Sequence, residues 1–146
     1  MTKKSIVIIS SVILLLILGG YGVYEFLIPA LTSSPRPSEE RKMRKELYNI
    51  EKIILLNKNN NEAEMDISEF RKLIPYVKCE KLLISKGNKI EGNLKFKDDN
   101  NGTISIDEMY GSFRYTYEGE QKGFFYYFKG DKKEQILNLV AETITR

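Results

Sequence analysis

The chain has 146 residues, with 23 Lys and Arg, 20 Asp and Glu, one Cys and no His. Without histidine there can be no histidine-based triad, HExxH zinc site or Cys–His pair, and one cysteine cannot form an internal disulfide. Setting aside Lys3, Lys4 and Glu25 in the apolar head leaves 21 basic and 19 acidic residues, a balance that supplies no strong field for nucleic acid.

The first element in chain order is apolar. From Ser5 to Tyr24 no residue is charged, and Ile6 to Leu18 is apolar apart from Ser10 and Ser11. About 20 such residues suffice to cross a bilayer core. Tyr21, Tyr24 and Phe26 fall where amphipathic rings favour the far interface, and Glu25 ends the span. Residues 1–28 therefore read as an N-terminal anchor, with residues 5–28 in contact with the membrane. Lys3 and Lys4 also suit a signal peptide, but Leu18-Gly19-Gly20-Tyr21-Gly22 makes a poor cleavage site, which favours an uncleaved anchor. Lys3 and Lys4 precede the span and only Arg36 follows closely, so the N-terminus is expected in the cytoplasm and the domain outside. A wider window that includes Arg41, Lys42, Arg44 and Lys45 pulls the other way. The abundance of Lys, Ile and Asn is associated with AT-rich bacterial genomes.

Residues 29–37 hold three prolines and three hydroxyl residues, a composition that predicts a short extended tether. The domain then occupies residues 38–146. Ser38 is suited to an N-cap, with Glu39 and Glu40 in the first turn, and Met43, Leu47, Ile50 and Ile54 recur at helical spacing, predicting a helix that ends by Asn57. A second, shorter helix begins at Asp66, with Glu69 completing a capping box and Pro75 forcing the exit.

Beyond Pro75 the period becomes two. Leu82-Leu83-Ile84 and the alternating Ile90, Gly92, Leu94, Phe96 flank Lys86–Lys89 as a hairpin. Phe96 and Leu94 then pair with Ile104 and Ile106 around a five-residue loop, Asp98–Gly102, in which Gly102 supplies a positive φ. The inward face moves from even to odd numbers before Phe113, Tyr115 and Tyr117, which requires a bulge near Gly111 or a break. Across the loop Glu118–Gly123, Tyr117 is expected opposite Phe124, Tyr115 opposite Tyr126, and Phe113 opposite Phe128. A last helix over about Lys132–Thr145 carries Ile136, Leu139, Val140 and Ile144. The expectation is an α+β fold: a transmembrane helix, two helices, a four- or five-stranded antiparallel sheet and a C-terminal helix.

Two stretches suggest chemistry. Residues 97–108, KDDNNGTISIDE, have spacing similar to an EF-hand loop, but Lys97 stands where the first carboxylate ligand belongs and the flanks alternate as strands, so a hairpin is the better account. Lys122–Phe128 resembles the aromatic strand of RNA-recognition domains, but Phe125 replaces the small residue and the charge is balanced. No Ser-x-x-Lys, P-loop or GxGxxG motif is present, and the acidic pairs Asp98/Asp99, Asp107/Glu108 and Glu118/Glu120 read as solvated turns. Cys79 reads as a half-buried apolar residue.

No catalytic, cofactor-binding or metal-binding residue is assigned. Arg114, Phe125 and Tyr127 face away from the predicted core and form a candidate face for a protein partner. The sequence thus points to a single-pass, non-catalytic extracytoplasmic binding or structural module of a bacterial envelope assembly for secretion, conjugation or DNA uptake. The alternatives are a surface immunity or inhibitor protein that captures a secreted toxin or hydrolase, and a pilin-like subunit.

Overall fold

A computed structural model of the chain describes residues 3–32, 34–56, 59, 61–80, 87–121 and 125–145. The apolar head forms α1 (Lys3–Gly22), a single π-helical turn (Val23–Leu27) and α2 (Ile28–Thr32) in unbroken succession. The stretch Ile8–Thr32, 25 residues, is long and apolar enough to cross a membrane, and nearly all of it is exposed. The expectation of extended chain from Pro29 onward is corrected, because helix continues to Thr32. The wider π turn relaxes the clash that a proline ring makes with the carbonyl four residues before it.

Helix α3 (Pro37–Tyr48) starts two residues earlier than its sequence signal, with Arg36 and not Ser38 as the N-cap, Pro37 at the first helical position and the Glu39 carboxylate accepting the Arg36 N–H at 2.8 Å. It also ends earlier. The predicted helix to Asn57 is replaced by strand β1 (Ile50–Leu56), whose Ile53 and Leu55 are fully buried while Lys52, Ile54 and Leu56 are half-buried on the other face. Ile50, Ile53 and Ile54 are stiff at χ1 and favour the pleated sheet, and an apolar stripe at 43, 47, 50 and 54 does not separate the two periods. Strand β2 (Glu62–Glu64) follows, then α4 (Ile67–Leu73), capped by the Asp66 carboxylate, which accepts the N–H groups of Ser68 and Glu69 at 2.8 and 3.2 Å. Glu69 does not complete a capping box; it pairs with Lys72 instead. A short 3-10 turn, Ile74–Tyr76, absorbs Pro75 and leads into β3 (Val77–Glu80).

The remaining elements are β4 (Lys89–Phe96), β5 (Asn101–Asp107), β6 (Phe113–Tyr117), β7 (Glu120–Gln121), β8 (Phe125–Phe128) and α5 (Lys132–Thr145). Among the described residues, seven strands form one antiparallel sheet in the order β2-β1-β4-β5-β6-β8-β3, and β7 pairs with β6. The expected α+β class holds, with more strands than the four or five expected, because β1, β2 and β3 join. Residues 82–84 of the expected first hairpin lie outside the described residues; β4 pairs with β1 and β5. The inward side chains of the sheet, Ile53, Leu55, Leu94, Phe96, Ile104, Ile106, Phe113, Tyr115, Tyr126 and Phe128, form one core with Met43 and Leu47 of α3, Phe70 and Leu73 of α4, and Ile136 and Val140 of α5. Phe113 stacks on Tyr126 and Phe128 with ring centroids 5.1 and 5.6 Å apart, and meets the edge of Phe70 at 6.2 Å.

Both aromatic and aliphatic registers keep their predicted parity and lose their predicted partners. Lys95 opposes Asn101, Gly92 opposes Ile104 and Ile90 opposes Ile106, so the turn is tighter than expected. The Asp99 N–H donates to the Phe96 carbonyl at 3.1 Å, the Phe96 N–H to Asn100 at 2.9 Å, and Asp99 carries the positive φ of 64°. This is the three-residue connection built from a turn and a left-handed residue. On the other hairpin Glu118 (φ 53°) and Gly119 (φ 78°) form a two-residue turn that pairs Tyr117 with Glu120. Phe113 then opposes Tyr126, not Phe128. Phe124, the expected partner of Tyr117, lies outside the described residues. The change of inward phase falls in the loop between β5 and β6, where Gly111 has φ 61° and Asp107 bridges to Ser112 through backbone at 2.8 Å.

Gly102 therefore has a different task from the one its turn-like neighbours suggest. Its φ is not positive; a Cβ there would stand 2.2 Å from the Thr116 carbonyl oxygen and 3.0 Å from the Phe96 ring. Gly102→Ala should destabilise the domain by about 2 kcal/mol or more, because backbone must move to admit one methyl. Asp99→Gly should be neutral or stabilising by up to about 1 kcal/mol, since glycine adopts that φ freely. Thermal unfolding of the full chain in detergent checks both, and equal melting of Gly102→Ala and wild type would remove the close-approach argument.

Candidate functional site

Among the described residues, the sheet has one covered and one open face. α3, α4 and α5 cover the side that carries the core, leaving Lys89, Glu91, Thr103, Ser105, Arg114 and Thr116 on the other. These six line an open groove of about 220 Å³. Within it the Ser105 hydroxyl donates to the Glu91 carboxylate at 2.9 Å, and the hydroxyls of Thr103 and Thr116 lie 3.2 Å apart.

Arg114 opposes Ser105 across the β5–β6 pairing, and its guanidinium lies 3.5 Å from the centroid of the Phe125 ring. The structure thus brings Arg114 and Phe125 together on the open face. Phe125 is only 6% exposed, however, so its ring is a floor beneath the guanidinium and not a free contact surface. Among the described residues the Arg114 Nε, like those of Arg44 and Arg71, is buried without a hydrogen-bond partner. Tyr127 is half-buried and opposes Lys78 at the β3–β8 side of the sheet. Planar stacking holds a guanidinium in one orientation, with its remaining N–H donors aimed outward at a flat acceptor.

Of the acidic pairs, Asp98/Asp99 and Glu118/Glu120 are exposed as read from sequence, and only Asp107 is withdrawn from solvent. Asp107 is 2% exposed, and its Oδ1 accepts the N–H groups of Met109 at 2.9 Å and Tyr110 at 2.8 Å, closing the loop that presents those two side chains to solvent. Asp98 accepts from the Tyr117 hydroxyl, which holds its carboxyl below the usual range, and from the Asn100 N–H at 3.3 Å. These carboxylates shape turns. Among the described residues no three Cys, Asp or Glu side chains converge as a metal site would require. A second open cleft, of about 530 Å³, runs between α4 and α5 past Glu69, Lys72, Tyr76, Lys132 and Gln135.

Two features were missed by sequence reasoning. Glu25, read as the end of the span, is 2% exposed: its Oε1 accepts the Ser38 N–H at 3.1 Å and the Ser38 hydroxyl. Beside it the Arg36 guanidinium lies 4.9 Å from the Phe26 ring centroid. The partner is 13 residues away across the chain reversal, and no local spacing rule reports such a pair. The other is a polar thread in the core, where the Tyr115 hydroxyl donates to Glu46 at 2.8 Å and the Tyr126 ring lies tilted against that of Tyr115, with centroids 5.1 Å apart.

Burial is the main cause that raises the acid groups of this core. It pushes the half-buried Cys79 thiol, which opposes Tyr126, up to about 12, with the Glu40 charge adding to the effect, and it raises both Tyr115 and Tyr126. A thiol so protonated is a poor nucleophile. No protein family, curated protein or solved structure matches the chain.

These raised groups have a stability consequence with a definite sign. The unfolded thiol and phenols ionise from their ordinary values of 9.0 and 10.0, whereas the folded ones keep their protons. The unfolded state then binds fewer protons, so stability complete below pH 9 falls as pH rises, at up to about 1.4 kcal/mol per pH unit for each group. Melting temperatures at about pH 8 and 10.5 check this, with Tyr126→Phe and Cys79→Ala each flattening the decline. A flat profile for the wild-type chain would contradict it.

Proposed function

We propose that the chain is a single-pass, membrane-anchored, non-catalytic module that binds a protein partner, its domain on the extracytoplasmic side of a bacterial cell envelope. The observation that carries this reading is the exposed apolar helix of 25 residues, Ile8–Thr32, joined to an α+β unit with a core of its own. A helix of that length and composition finds its natural solvent in a bilayer. The open sheet face supports the binding role. Arg114, oriented by Phe125 and unpaired at Nε, resembles the stacked arginines that read carboxylates at interfaces, and hydroxyls of Thr103, Ser105 and Thr116 surround it. The contact face is therefore centred on Arg114, with Phe125 supporting it from beneath and Tyr127 at its margin.

Two measurements test the reading. Protease added to intact cells should digest the domain; a protected domain would overturn the extracytoplasmic placement. A photo-crosslinking side chain at Thr116 should trap one defined partner, and Arg114→Ala should abolish that product while changing stability by about 1 kcal/mol or less. Phe125→Ala should cost about 3–5 kcal/mol, as a buried ring does. No product from Thr116, or one indifferent to Arg114→Ala in a folded chain, would remove this face from consideration.

A further inference from the structure

We propose that α3 begins at the bilayer surface and that Arg41, Lys42 and Lys45 bind the headgroups of anionic lipids, an inference that rests on the apolar helix crossing the membrane with its charge-free part, Ser5–Tyr24, in the hydrocarbon layer. The chain rises to Thr32 and then folds back, so that Ser38 meets Glu25. Seven residues of helix separate Glu25 from Thr32, so the return covers about 10 Å along the anchor axis. If the charge-free run Ser5–Tyr24 fills the hydrocarbon layer, then Tyr24, Glu25 and Ser38 all stand at the headgroup level. Arg41 is there too. It lines, with Tyr24, Pro37, Glu40 and Arg44, a small groove of about 140 Å³ between the anchor and α3.

The charge balance of α3 differs between its faces. Glu40 pairs with Arg44 at 3.0 Å and the half-buried Glu46 accepts from the Tyr115 hydroxyl, while the exposed Glu39 accepts the Arg36 N–H and keeps its charge at the start of the helix. Arg41, Lys42 and Lys45 are exposed, and among the described residues no carboxylate pairs with them. Sequence alone interleaves both signs; the fold leaves three unpaired cations outside. Lys45 lies one helical turn beyond Arg41, about 6 Å along the axis. That is comparable to the headgroup layer, roughly 5–7 Å per leaflet, and to the Debye length of about 8 Å. With α3 lying along the surface or rising from it, all three charges fall within reach of anionic headgroups, and each contributes about fivefold to such a contact.

The test uses the full chain in vesicles, with a fluorophore on Tyr48→Cys in a Cys79→Ala background and a nitroxide on the lipid headgroup. Tyr48 is exposed one turn past Lys45, so the probe reports proximity without replacing a charge. Quenching should be about twofold or more stronger with about 30% phosphatidylglycerol than in phosphatidylcholine alone, and should fall to the neutral level at about 0.5 M salt. Arg41→Gln, Lys42→Gln and Lys45→Gln together should abolish the difference. Lys95→Gln, Lys97→Gln and Lys129→Gln, which remove the same net charge elsewhere, should preserve it. Equal quenching in both vesicles, or a difference that survives neutralisation of α3, would overturn the proposal. Flotation separates the two levels of failure. A chain that does not float with vesicles defeats the membrane-spanning reading and this inference with it, whereas one that floats but ignores lipid charge defeats this inference alone.

Discussion

A carboxylate fixes how the domain of this protein meets its apolar helix. Glu25 emerges from a π-helical turn and receives both the backbone N–H and the hydroxyl of Ser38 in the first turn of α3. The first turn of a helix has unsatisfied N–H groups and a partial positive charge, so an anion there is stabilising by roughly 0.3–2 kcal/mol. At 2% exposure Glu25 has given up most of its hydration, and the cost of that burial is offset only while α3 stays in place. The contact is therefore a constraint more than a source of stability. It fixes where the chain re-enters helix after Thr32 and turns a nominal tether into a joint, with the Arg36–Phe26 contact alongside. A domain on a free linker would sample all orientations about the apolar helix; one held at Glu25 keeps the same side of α3 beside it.

That constraint propagates to the sheet. α3 is fixed at its start by Glu25 and along its length by Met43 and Leu47, which enter the common core. The sheet then has one face committed to α3, α4 and α5 and one left open. On the open face most side chains are hydrogen-bonded in pairs, as with Ser105 and Glu91 or Thr103 and Thr116, whereas Arg114 lies on Phe125 with an unpaired Nε. Arg44 and Arg71 also carry a buried Nε without a partner among the described residues, so what distinguishes Arg114 is its place on the open face, over the Phe125 ring.

The sequence was most legible where side-chain period and burial coincide. α5 lies over Lys132–Thr145 as its apolar spacing predicts, and Asp66 caps α4 as its position implies. Strand parity was legible too. Phe96, Ile104, Phe113 and Tyr115 all face inward as alternation requires, because a slip of one residue would turn the whole apolar set outward. Partner identity was not, because a slip of two keeps every face and changes only the turn. The choice rests on Asp99 and on the Glu118-Gly119 pair adopting positive φ, and asparagine-rich neighbours made Gly102 look like the turn residue instead. β1 was lost for a related reason: Ile50 and Ile54 satisfy a helical stripe continued from Met43 and Leu47, and only the helix end at Tyr48 separates the two readings.

The open face was legible only as a direction. Alternation placed Arg114, Phe125 and Tyr127 opposite the core, but it could not report that Phe125 would sink to 6% exposure beneath the guanidinium. Burial on the outward face depends on what a neighbouring strand sets across the gap, and here β6 sets Arg114 over β8. The same limit applies to α3, where reading charges along the chain gave a mixed helix. Glu40 of this helix pairs with Arg44 and Glu46 turns in to the Tyr115 hydroxyl, so Arg41, Lys42 and Lys45 stand exposed without an ion-pair partner among the described residues. The sum of its charges is the same before and after folding; the fold adds only their arrangement in space.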